Sequence, residues 1–150
     1  MTKVIIVYSS LTGNTEEMSD LIERGVKATG IEVVRKDAYD AKAAELLQYD
    51  GIIIGAYTWG DGELPDEFLD FYEDLEELDL SGKKAAVFGS GDSSYDHYCG
   101  AVDIIEHKLR ELGADIVHES LKFEYNASNE ELEQGKTIGY EIAGALYESS

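Results

Sequence analysis

Three short stretches of the chain carry residue types that could hold or react with a ligand. The first, "SSLTGNTEE" at residues 9–17, offers hydroxyls from Ser9, Ser10, Thr12 and Thr15 and an amide from Asn14, with Gly13 permitting a tight turn. Ahead of a helix, backbone N–H groups converge on whatever stands in front of them, and the dipole favours negative charge there. A capped helix is the plainer alternative, with Asn14 as N-cap and Glu17 three residues on, but capping needs one polar side chain and this loop has five in seven residues. No lysine follows Gly13, so the loop is not a nucleoside-triphosphate motif. Neutral donors suit a permanently held phosphate monoester.

The second stretch, "YTWGDGELP" at 57–65, sets the single tryptophan, Trp59, between Thr58 and the turn residues Gly60, Asp61 and Gly62. Trp59 either folds back onto the core or stacks on a flat ligand. The third, "GSGDSSYDHYCG" at 89–100, is a donor-rich turn holding Ser90, Gly91, Asp92 and Tyr95. It lacks G-x-S-x-G and a histidine spaced to serve a serine, which argues against hydrolysis. Cys99 is the sole cysteine, so no internal disulfide forms, and it reads as a small buried filler. Three scattered histidines offer no metal cluster.

The elements that position these stretches follow from periodicity. Apolar runs rich in Val and Ile at 4–8, 31–34, 52–57, 85–88 and 114–117 read as buried strands. Helical patterns lie between them, over 14–29, 40–48, from Pro65 through Phe68, Phe71, Leu75 and Leu78, and over 102–112. Ser128 and Glu131 form a capping box for a last helix ending near 147. Strand and helix alternate five times, which predicts an α/β fold: one domain over 1–150, a doubly wound five-stranded parallel sheet, and helices on both faces. Ligands of such sheets bind outside the carboxyl ends of the strands. The loops after strands one, three and four are the three stretches above.

Charge and length narrow the class. Twelve basic against thirty-two acidic residues leave a formal charge of −20, which should repel nucleic acid and anionic membranes and either attract basic protein surfaces or simply aid solubility. No apolar run nears the roughly 18 residues that span a bilayer, and the start of the chain does not read as a signal peptide. The expectation is a cytoplasmic protein.

A ligand flat at one end and phosphorylated at the other fits these loops, and flavin mononucleotide (FMN) is one. At this point the chain resembles the flavodoxins along essentially its whole length: "SSLTGNTEE" is similar to their phosphate loop, "TWGDG" to their tryptophan loop and "GSGDSSYDHYCGAVD" to their tyrosine loop. The resemblance implies strand order 2-1-3-4-5, the order of the flavodoxin-like fold itself. Only six residues separate Leu121 from Ser128, so the insertion that splits the last strand of long-chain members is absent and the short-chain type is implied. It further implies that Ser10, Thr12, Asn14 and Thr15, with backbone N–H groups of Leu11 and Gly13, hold the phosphate. Thr58 and Ser90 would line the ribityl chain and ring, Trp59 and Tyr95 would sandwich the isoalloxazine, and Gly91, Asp92 and Cys99 would offer backbone contacts. Gly60 and Asp61 complete the tryptophan loop, Gly60 by letting its peptide turn over to meet the proton on flavin N5.

The implied function is low-potential one-electron transfer between the neutral semiquinone and anionic hydroquinone, in place of a ferredoxin, with no catalysis on a small substrate. The chain would act as a monomer docked by basic redox proteins. Residues 61–79 hold ten Asp or Glu and no Lys or Arg, a patch able to steer such partners. Two other readings compete. An FMN-dependent quinone reductase would want longer loops around a substrate pocket. A phospho-receiver domain would want an aspartate where Tyr57 ends the third strand and acidic residues where Ser9 and Ser10 follow the first.

Overall fold

The computed structural model describes residues 3–9, 14–58, 64, 66–91, 99–123 and 128–149, with side chains left undescribed at 14, 66, 67 and 147–149. Its strands are β1 (Lys3–Ser9), β2 (Glu32–Asp37), β3 (Gly51–Tyr57), β4 (Lys84–Ser90), β5 (Asp115–Ile116) and β6 (Leu121–Phe123). Its α-helices are α1 (Asn14–Lys27), α2 (Asp66–Leu75), α3 (Gly100–Glu111) and α4 (Asn129–Ser149), and a 3-10 helix covers Ala43–Gln48. The sheet runs β2-β1-β3-β4-β5 with every pairing parallel, which is the order the resemblance implies.

Each interior strand buries both of its faces, so it needs a near-continuous apolar sequence rather than an alternating one. In β3 the residues from Gly51 to Ala56 are all buried. Ile5, Val7, Ile52, Ile54 and Val87 pack on one face against Phe68, Phe71 and Leu75 of α2 and Val102, Ile105 and Leu109 of α3. Val4, Ile6, Ile53 and Phe88 pack on the other against Met18, Ile22 and Val26 of α1 and Ile138, Ile142 and Leu146 of α4. β2 lies at the edge, and its sequence EVVRKD is correspondingly charged and only half-buried.

The fifth strand, expected over 114–117, instead occupies two short segments. Ile116 stands opposite Ala85 and Leu121 opposite Phe88, so five steps along the last strand match three along β4. The surplus residues leave the ladder at His118–Ser120, where the His118 ring bonds the Glu119 carbonyl and Ser120 donates to Glu106. Elsewhere the differences are small. α1 ends at Lys27 and α2 at Leu75, leaving Leu78 packed on the core from the turn that follows. The capping box of α4 is formed: the Ser128 N–H donates to Glu131 Oε1 at 2.9 Å, and the Glu131 N–H to Ser128 Oγ at 3.1 Å.

Helices α1 and α4 approach so closely that glycine is required where they touch. A Cβ at Gly25 would stand 2.7 Å from the Lys136 carbonyl oxygen, and one at Gly139 would stand 2.7 Å from the Ile22 carbonyl. Alanine is the better helix former by about 1 kcal/mol, so propensity alone favours Gly25→Ala. Backbone contact reverses the sign, and overpacking sets the expected loss at about 1–3 kcal/mol. Urea unfolding checks this, and a gain in stability would show that the helices can move apart.

Candidate functional site

The carboxyl ends of β1, β3 and β4 lie side by side, with Ser9 opposite Ala56 and Tyr57 opposite Ser90. Four hydroxyls gather there. Ser90 follows Phe88 on the α1/α4 face, and its Oγ lies 3.4 Å from Thr15 Oγ1 in the first turn of α1, both side chains being about 98% or more buried. Thr58, just past β3, accepts the Ala101 N–H at 3.4 Å from the first turn of α3. Its own N–H donates to the Ser90 carbonyl at 2.9 Å, carrying the β3–β4 ladder one step past Tyr57. Ser9 follows Val7 on the α2/α3 face and is 1% exposed. Among the described residues its hydroxyl has no hydrogen-bond partner.

The start of α3 is shaped from both sides. Cys99 precedes it with φ 52° and ψ 39°, a left-handed conformation that is unfavourable for a residue with a side chain. Its buried thiol lies 3.7 Å from the carbonyl oxygens of Gly89 and Phe123, as expected of a small filler. Gly91 donates to the same Phe123 carbonyl at 3.0 Å, and a Cβ on Gly91 would stand 2.8 Å from the Cys99 nitrogen. Glycine at 91 therefore lets the turn after β4 lie against the backbone that opens α3.

Of the residues assigned to a cofactor from sequence, Thr15, Thr58, Ser90, Gly91 and Cys99 are brought to this one edge of the sheet. Asn14 is the first residue of α1. Ser10, Leu11, Thr12, Gly13, Trp59, Gly60, Asp61, Asp92 and Tyr95 lie outside the described residues. Among the described residues no group of three or more His, Cys, Asp or Glu could hold a metal ion. Close by, the Tyr8 phenol is pushed above its usual range, chiefly by burial and then by Glu16, against the pull of Arg35. The Arg35 guanidinium lies 5.7 Å from the Tyr8 ring.

Ligands of parallel sheets bind outside the carboxyl ends of the strands, where these hydroxyls lie, and the family model for flavodoxin matches residues 6–137. The chain belongs to the flavodoxin family. A "Probable flavodoxin 2" from Bacillus subtilis is 52% identical over 144 residues, 95% of each chain. The flavodoxin of Maridesulfovibrio salexigens is 42% identical and covers 88% of this chain and 92% of its own. The crystal structure of oxidised flavodoxin 1 from Bacillus cereus superposes with a TM-score of 0.92 at 49% identity, covering 95% of this chain and 98% of that one. The strand order, the short-chain architecture and FMN as cofactor go with this membership.

The residues described fit FMN. Buried hydroxyls at the ends of β1 and β4 and at the start of α1, with the half-buried Thr58 after β3, are the kind of neutral polar groups that a phosphorylated chain can bond. The sequence offers Ser9 as one hydroxyl of the first loop, and the resemblance gives it no part in holding the cofactor. Strand alternation could have drawn attention to it, since it puts a serine on the apolar face of Ile5 and Val7.

Proposed function

We propose that this flavodoxin is a one-electron carrier holding one non-covalent FMN. The observation that carries the reading is the set of hydroxyls at the carboxyl ends of three adjacent strands and the start of α1, with Ser9, Thr15 and Ser90 buried and Thr58 half-buried. Ser10, Thr12, Asn14 and Thr15, with the N–H groups of Leu11 and Gly13, would hold the phosphate. Thr58, Gly60, Asp61, Ser90, Gly91, Asp92 and Cys99 would line the chain and the polar edge of the ring, and Trp59 with Tyr95 would cover its faces. Bound FMN supplies reversible one-electron chemistry. The protein's part is to bind it, exclude water from it and set the charge around it.

That charge favours a low potential. Residues 4–23, 37–41, 43–82 and 85–107 contain no Lys or Arg, so the stretches around the three loops offer no cation to a reduced flavin. A negative charge about 10 Å away at an effective dielectric of about 20 costs roughly 1.7 kcal/mol. A few such charges lower a one-electron potential by on the order of 100 mV, given about 59 mV per tenfold change in equilibrium. The working couple is then the neutral half-reduced and anionic fully reduced states, low enough to stand in for a ferredoxin. The chain acts as a single-domain monomer in the cytoplasm, meets basic redox proteins at its acidic surface, and turns over no small substrate of its own. No helix among the described residues is long and apolar enough to cross a membrane.

The purified protein is expected to be yellow with one FMN per chain, and to bind FMN more tightly than riboflavin. Redox titration should place addition of the second electron on the order of 100 mV or more below free FMN. Equal affinity for riboflavin, or a second potential at the free-flavin value, would overturn the reading. NAD(P)H oxidation by the protein alone would favour an enzyme instead.

A further inference from the structure

Ser9 breaks a rule the rest of the strand ends obey. Thr15 and Ser90 meet one another and Thr58 accepts from Ala101, yet the Ser9 hydroxyl, on a residue 1% exposed, has no partner among the described residues. A buried hydroxyl left unbonded pays its desolvation without return. Alanine at this position would cost nothing of the kind and would suit the apolar company of Val7 and Ala56.

Its place says what could satisfy it. Ser9 is the last residue of β1 and leads directly into the loop that precedes α1, whose N-terminus attracts anions. It stands opposite Ala56, two residues before Thr58, so it shares a sheet face and a strand end with a residue already assigned to the cofactor. Resting on the FMN site proposed above, we infer that Ser9 is a further cofactor-binding residue, its hydroxyl donating to the phosphorylated ribityl chain of FMN. The unsatisfied hydroxyl is then a cost carried by the empty protein and recovered on binding. A hydroxyl at position 9 makes the free chain less stable and the complex tighter.

Ser9→Ala tests this through two quantities that should move in opposite directions. Removing the hydroxyl should raise the thermal midpoint of the flavin-free full-length chain by roughly 2–4 °C, as expected when one buried unsatisfied group is lost from a domain of this size. It should also weaken FMN binding about tenfold, measured by titrating the flavin-free protein and following flavin fluorescence. Riboflavin, titrated in parallel, identifies the partner: a loss confined to FMN assigns the phosphate, and an equal loss for both assigns a ribityl hydroxyl. Unchanged FMN affinity would overturn the inference while leaving the FMN site intact. A fall in flavin-free stability together with affinity would also overturn it, by showing a merely structural serine. Failure of the unaltered protein to bind FMN would instead sink the proposed function.

Discussion

Gly89→Ala is expected to cost at least about 3 kcal/mol of stability, the upper range for overpacking a closed interior, and to abolish tight flavin binding. Gly89 stands opposite Ala56 near the end of β4. A Cβ there would overlap the carbonyl oxygen of Ala56 and lie 2.5 Å from Cγ2 of Val102. Val102 is a side chain that can shift, but the Ala56 carbonyl is part of β3. Relief therefore requires β3 and β4 to separate just where the Thr58 N–H meets the Ser90 carbonyl at 2.9 Å. Both residues belong to the proposed cofactor site, so stability and binding fall together. For a chain of this length the thermal midpoint should drop by roughly 10 °C. Gly144→Ala in α4 is the control, because a Cβ there meets nothing within 4 Å. It should gain up to about 1 kcal/mol from helix propensity. Calorimetry on the two variants checks the contrast, and an unchanged midpoint for Gly89→Ala would show that the strand ends tolerate a side chain.

Gly89 also marks the boundary of what the sequence reveals. Composition and periodicity identify the elements, because a parallel interior strand such as "GIIIGAY" must be apolar on both faces and few other environments demand that. The same logic fails for Leu121–Phe123. Three residues with a lysine in the middle are too short to carry a periodic signal, and the polar His118–Ser120 separates them from the run at 114–117, so the second half of the fifth strand is set by pairing with Phe88 to Ser90 rather than by its own sequence. In the candidate site the residue types are legible and their directions are not. The motif "SSLTGNTEE" announces hydroxyls, yet only the pleat of β1 decides that Ser9 turns toward the α2/α3 face. Cys99 is similar. Its left-handed φ of 52° arises from tertiary fit between the turn after β4 and the start of α3, and no local preference of cysteine favours it.

Electron transfer to a positively charged partner should slow by about tenfold or more as ionic strength rises to physiological levels, where the Debye length falls to about 8 Å. The described part of the acidic patch shows which residues carry this. Asp70, Glu73, Asp74, Glu76, Glu77 and Asp79 are exposed on α2 and the turn after it. Glu76 is the partial exception, since Lys108 from α3 lies 3.4 Å from its carboxylate and offsets its field. These charges are badly placed for the fold. α2 has no basic residue in its last turn, and Glu73, Asp74, Glu76 and Glu77 crowd the helix end where the dipole favours cations, at about 0.3–1 kcal/mol each. Replacing Glu73, Asp74 and Glu77 with their amides should therefore stabilise the protein by about 1–2 kcal/mol while flattening the salt dependence of the rate. Glu76→Gln alone should do less, because it gives up the ion pair with Lys108 and leaves that lysine to Glu111, 3.8 Å away. Stopped-flow oxidation by cytochrome c, a basic acceptor, measured from low to physiological salt, reads the rate, and urea unfolding reads the stability. A variant that becomes more stable yet keeps the full salt dependence would place the docking surface elsewhere. A variant that becomes less stable would show that these carboxylates make contacts that outweigh the dipole.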